Sequence, residues 1–215
     1  MEKFTKILET IDGYVWGIPL IVLIMAVGIF LTFRLRLLQI FHLPKALKFM
    51  FQNENGGKGE ISSFAALCTA LSATIGTGNI VGVATAIGVL SGGPGALLWM
   101  WIAALLGMAT KFSEGFLAIK YRRMDADGHV CGGPFYYIEY GMGKKWKPLA
   151  IFFAVTIILG GLGTAAFAQP YTMSTALERT FHIPAWVVTV AAAAICGIVL
   201  IGGVKGFGKF CEKIT

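Results

Sequence analysis

The chain has 215 residues, 56% of them apolar and only 13% charged, against about 25% charged in an ordinary soluble domain. With a mean hydropathy of +0.74, this excludes a water-soluble globule and predicts an all-α polytopic membrane protein. The net charge of +7 would suit nucleic acid, but the basic residues are distributed between apolar runs, which argues against that partner.

Residues 1–12 read as a short polar or interfacial lead, followed by a first apolar span at about 13–35. TFRLRLL follows that span in place of a small-x-small cleavage site, so it reads as a retained helix, not a signal peptide. FHLPKALKFMFQ (41–52) is apolar and basic together and is expected to lie along the headgroups. NENGGKG (53–59) is a loop by composition. Spans are then predicted at 62–91 and 95–121, joined by the tight turn GGPG (92–95). The polar stretch 122–147 holds FYYIEYG, an interfacial helix by its tyrosines. Spans at 148–178 and 185–203 follow, then a basic tail.

Arg34, Arg36, Lys45, Lys48 and Lys58 follow the first span; Lys120, Arg122, Arg123, Lys144, Lys145 and Lys147 follow the third; Lys205, Lys209 and Lys213 follow the fifth. The other side holds only Lys3, Lys6 and Arg179. Short Lys/Arg-rich loops stay inside. The expectation is a cell-membrane protein with its N-terminus outside and with 34–60, 122–147 and 204–215 cytoplasmic. Cys68, Cys131, Cys196 and Cys211 are scattered without a CxxC, so neither a disulfide framework nor a zinc site is expected. His42, His129 and His182 are equally dispersed and are assigned no role.

The segment 62–91 is long enough to span, yet Thr74, Gly76, Thr77, Gly78 and Asn79 interrupt it near the middle. Unpaired backbone in hydrocarbon costs several kcal/mol and survives only where it is buried in protein or lines a cavity. GTGN followed by Gly82 lacks the strand and βαβ frame of a dinucleotide loop. Close helix packing would use Gly82, Ala84, Thr85, Ala86 and Gly88 but does not account for Asn79 beside two glycines. A helix unwound over 72–79 would aim the amides of Thr77 and Gly78 at an anion such as an amino acid carboxylate. Glycines at 76 and 78 would permit unusual backbone angles. Carbonyls of Ser72, Thr74 and Ile75, with the Asn79 side-chain oxygen, would suit Na⁺.

Gln169, with Pro170 beside it in AAFAQPYT, is a polar amide in an apolar run. It can line a site or bond to a neighbouring helix. Lys111 and Glu114, three residues apart, can pair on one helix face in a functional or a positional role. HExxH and GxSxG are absent, and no His accompanies a nucleophile within the spans, so an enzyme is not expected.

GTGNIVGVATAI (76–87), GGPGALLWMWIAALLGMATKFSE (92–114), GGPFYYIEYGMGKKW (132–146) and GGVKGFGKFCEKI (202–214) resemble blocks of the alanine or glycine:cation symporter family. One departure is Leu98, where that family usually has Phe. The resemblance implies a Na⁺-coupled importer of a small neutral amino acid, alanine or glycine, working by alternating access. It implies a leucine-transporter-type inverted repeat of five plus five helices with one extra helix in front. Residues 1–60 would then hold the leading helix and a cytoplasmic interfacial segment, and 61–215 an incomplete first repeat. The resemblance places the carboxylate on Thr77 and Gly78, sodium near Thr74 and Asn79, a second sodium at Ser72 and Ile75, and Gln169 in the pocket wall. It also implies a missing second repeat, without which this chain would not transport. The alternative is a channel-like or structural membrane subunit whose glycines serve packing alone.

Overall fold

A computed structural model describes residues 2–50, 61–88 and 92–214. The loop expected at 53–59 and the end of the span expected at 62–91 lie outside the described residues. The elements in chain order are α1 (Glu2–Val15), α2 (Ile18–Arg34), α3 (Leu38–Phe41), α4 (Leu43–Met50), α5 (Ser63–Thr74), a π-helical turn (Gly78–Gly82) and α6 (Val83–Gly88). Then come α7 (Gly93–Lys120), β1 (Arg123–Met124), β2 (Val130–Cys131), α8 (Pro134–Gly141), α9 (Lys147–Gly160), a second π-helical turn (Gly161–Ala165), α10 (Ala166–Phe181), α11 (Ala185–Ile201) and α12 (Gly203–Ile214).

The helix starts follow local chemistry. Proline occupies the first turn of α2, α7, α8 and α9, where its missing N–H costs nothing and its fixed φ suits the helix. At α5 the Ser62 hydroxyl oxygen accepts the Ala65 N–H at 3.1 Å, an N-cap. At α2 the stop is unusual. Arg36 and Leu37 both take left-handed φ, near +56° and +54°, turning the chain back so that α3 lies on α7. The Gln39 amide nitrogen donates to Thr32 Oγ1 at 2.8 Å across this elbow, with both side chains buried.

Among the described residues three helices are long and apolar enough to cross a membrane: Thr5–Arg34, Gly93–Lys120 and Lys144–Phe181. The bent pair Ser63–Thr74 and Gly78–Gly88 makes a fourth if taken as one span. Large apolar side chains point outward along these helices, Ile18, Phe33, Trp101 and Phe152 among them. Such a surface suits lipid or further protein and not water. The small buried core lies where helices cross: α2 on α7, α5 on α12, α8 on α9 and α10 on α11. Gly28 of α2 is buried because a Cβ there would sit 2.9 Å from the Leu106 Cβ of α7.

Three features differ from the sequence reading. The lead expected at 1–12 is helical from Glu2 and continues into the first span through a bend at Trp16–Gly17. The fifth apolar helix has 17 residues, about 25 Å at 1.5 Å per residue, and stops where Gly203 turns the chain at φ +61°. The basic tail is the helix α12, packed on α5. Its small residues explain this docking: Gly208 and Cys211 share a buried face, with Gly208 close to Ile61 and Ala65, while Lys209, Glu212 and Lys213 stay exposed.

Candidate functional site

The break follows from bonds the chain cannot continue. The last bond of α5 runs from the Ile75 N–H to the Leu71 carbonyl at 2.8 Å. Ile75 is then extended, with ψ 111°, and the helix resumes after Gly76, its axis turned by 54°. Gly76 and Asn79 close the joint reciprocally. The Asn79 N–H donates to the Gly76 carbonyl at 3.0 Å, and the Gly76 N–H donates to Asn79 Oδ1 at 3.0 Å. This has the form of a capping box, with Asn79 at the third helical position reaching back to the cap residue. Thr77 and Gly78 therefore occupy the first turn, where amides have no intrahelical acceptor. Ser72 and Thr74 lie on the final turn of α5, whose carbonyls point past the helix end. The Thr74 hydroxyl is occupied locally, donating to the Ala70 carbonyl at 2.7 Å.

Gln169 of α10 comes to this joint from more than ninety residues away in sequence. A Cβ built on Gly76 would lie 3.2 Å from Gln169 Nε2 and 3.6 Å from its Cδ. The approach lies just beyond the second π-helical turn, and Pro170 sits inside α10. Pro170 has no N–H to give the Ala166 carbonyl, so this helix too carries freed backbone beside the joint. Wide π turns inside helices recur at functional sites, and here two helices carry one each. Thr74, Ile75, Gly78, Asn79 and Gln169 are exposed, while Gly76 and Thr77 are half-buried, so the site is open on one side.

The glycines act otherwise than the sequence suggested. Neither Gly76 nor Gly78 has a positive φ, so neither is demanded by backbone angle. Gly76 leaves room for the end of the Gln169 side chain. Nothing among the described residues lies within 4 Å of a Cβ built on Gly78 or Gly82.

Lys111 and Glu114 pair at 3.0 Å on α7, apart from the joint. Tyr137 of α8 faces them: burial, then the Glu114 charge, pushes its phenol above the usual range, and Lys111 partly opposes this. The Arg123 guanidinium stacks 3.9 Å from the centre of the Tyr140 ring, tying the β1–β2 hairpin to α8. The four cysteines are free. Among the described residues no group of three or more His, Cys, Asp or Glu converges.

A model of the sodium:alanine symporter family matches residues 1–215. An uncharacterized transporter of Haemophilus influenzae is 52% identical over 201 residues, 93% of this chain and 43% of that protein. The sodium/alanine symporter AgcS of Methanococcus maripaludis is 42% identical over 210 residues, 96% of this chain and 46% of that protein. A Bacillus subtilis protein named probable sodium/glutamine symporter, GlnT, is 39% identical over 215 residues, 98% of this chain and 44% of its own. The chain thus spans somewhat under half the length of these relatives.

Proposed function

The chain belongs to the sodium:alanine symporter family, and we propose that it supplies the first half of the ion and substrate site of a Na⁺-coupled importer for a small neutral amino acid, alanine or glycine. One observation carries this reading: the 54° joint, locked by the Gly76–Asn79 bonds, meets Gln169 from a second interrupted helix. The amides of Thr77 and Gly78 take the substrate carboxylate, helped by the positive end of the following half-helix. Carbonyls of Ser72, Thr74 and Ile75 take sodium. Asn79 Oδ1 joins them through its second lone pair, the first being held by Gly76. A cation beside a carboxylate offsets part of the desolvation cost of each, which makes binding of one depend on the other. Gln169 closes the wall next to Gly76.

The open side of the joint is covered by the second repeat of a leucine-transporter-type inverted fold, which completes the ligand sets and allows alternating access. The basic loops place the N-terminus outside a cell membrane. A purely structural subunit would use its glycines for packing, as Gly28 and Gly208 do. Gly78 and Gly82, with open space around them among the described residues, favour the symporter. The test is sodium-dependent alanine uptake by vesicles carrying the full-length protein with Asn79→Ala. The half-saturating sodium concentration is expected to rise about tenfold, the worth of one charge-assisted contact. Unchanged sodium dependence at normal protein levels would overturn the assignment.

A further inference from the structure

Beyond the elbow at Arg36–Leu37, where α3 lies on α7, the α3–α4 segment and α7 enclose a groove of about 440 Å³, within the size range of small-molecule sites. Its walls are apolar: Leu38, Leu43 and Phe49 on one side, Met108 and Phe112 of α7 on the other. Gln39, His42 and one cation, Lys45, also line it. Residues 34–50 contain Arg34, Arg36, Lys45 and Lys48 and no acid, and all four are exposed. Among the described residues none of the four pairs with a carboxylate; Lys45 instead lies 5.7 Å from the centre of the Phe49 ring. The elbow that holds the groove open is strained. Two consecutive non-glycine residues in the left-handed region persist only where surrounding contacts over-determine them, as at ligand clamps. Here the buried Gln39–Thr32 bond supplies one such contact.

We propose that this groove is a binding site for one anionic glycerophospholipid, with an acyl chain between α4 and α7 and the phosphate on Lys45 and Lys48. An apolar slot with Lys45 in its lining and the exposed Lys48 three residues on along α4 matches the two halves of that molecule, and basic pockets between helices on the cytoplasmic side are where such headgroups bind. The inference rests on the membrane orientation proposed above, but not on the assignment of the transport site.

The test is native mass spectrometry of the detergent-purified full-length protein, given equal amounts of phosphatidylglycerol and phosphatidylcholine. The unmodified protein is expected to retain one phosphatidylglycerol in preference to phosphatidylcholine. K45E/K48E, a change confined to exposed side chains, is expected to lower that retention about tenfold. Ala46→Phe, which narrows the slot, is expected to remove the bound lipid while Lys45 and Lys48 remain. Equal retention of both lipids, or retention unchanged in K45E/K48E, overturns the proposal. Inorganic phosphate displacing the lipid would show that the slot contributes nothing and would overturn it too. Because lipid is counted without transport, failure here and failure of the symporter reading are separately visible.

Discussion

Replacing Gly76 by alanine probes the meeting of the two interrupted helices. The added methyl would lie 3.2 Å from Gln169 Nε2, inside the roughly 3.5–4.0 Å of an ordinary contact. The obstacle is the end of a flexible side chain, so Gln169 yields by a few tenths of an ångström and leaves its rotamer well. That displacement costs about 0.5–1.5 kcal/mol, which corresponds to a loss of about twofold to tenfold in substrate affinity. Because Gly76 does not have a positive φ, the backbone itself adds no comparable strain. The assay is alanine binding to the full-length protein as a double-mutant cycle with Gln169→Ala. With the amide gone, the methyl has nothing to displace, and the effect of Gly76→Ala should largely vanish. A coupling of about 0.5–1.5 kcal/mol is the expected result. Additive effects, or no effect of Gly76→Ala in the parent, would refute the claim that this glycine leaves room for Gln169.

Two further expectations concern stability. Gly28→Ala puts a Cβ 2.9 Å from the Leu106 Cβ; overpacking this crossing should cost about 1–3 kcal/mol in thermal unfolding. Gly107→Ala, in open space, should stay within about 0.5 kcal/mol, and equal losses at both sites would refute the packing argument. His182 ends α10 with φ near +55°, where a side chain is strained by about 1–2 kcal/mol. His182→Gly should therefore raise the melting temperature, and a lower value would count against strain at that cap.

Much of the helical order was legible because hydropathy and terminal punctuation agree: Pro19, Pro94, Pro134 and Pro148 each lie in the first turn of a helix. The run from Thr74 to Asn79 pointed to a bend because glycine and asparagine have no apolar reason to stand there. Other features left no such mark. The elbow at Arg36–Leu37 uses left-handed angles without a glycine, so only tertiary contacts could reveal it. The tail at 204–215 read as basic because three of its four charges are lysines, yet docking on α5 uses the small residues at Gly208 and Cys211. The role of Gly76 was hidden because it depends on Gln169, and one chain carries no record of which distant residues meet. Asn79 was read as a ligand by its chemistry, and the cap it forms with Gly76 depends on the direction its side chain takes.

The paired bonds between Gly76 and Asn79 hold the kink from within the chain itself. A socket cast in advance spares an incoming solute the entropy of shaping it, so more of the contact energy remains as affinity. A rigid socket is also a poor gate. In the symporter proposed above, alternating access would then come from helices swinging around a corner that itself stays still.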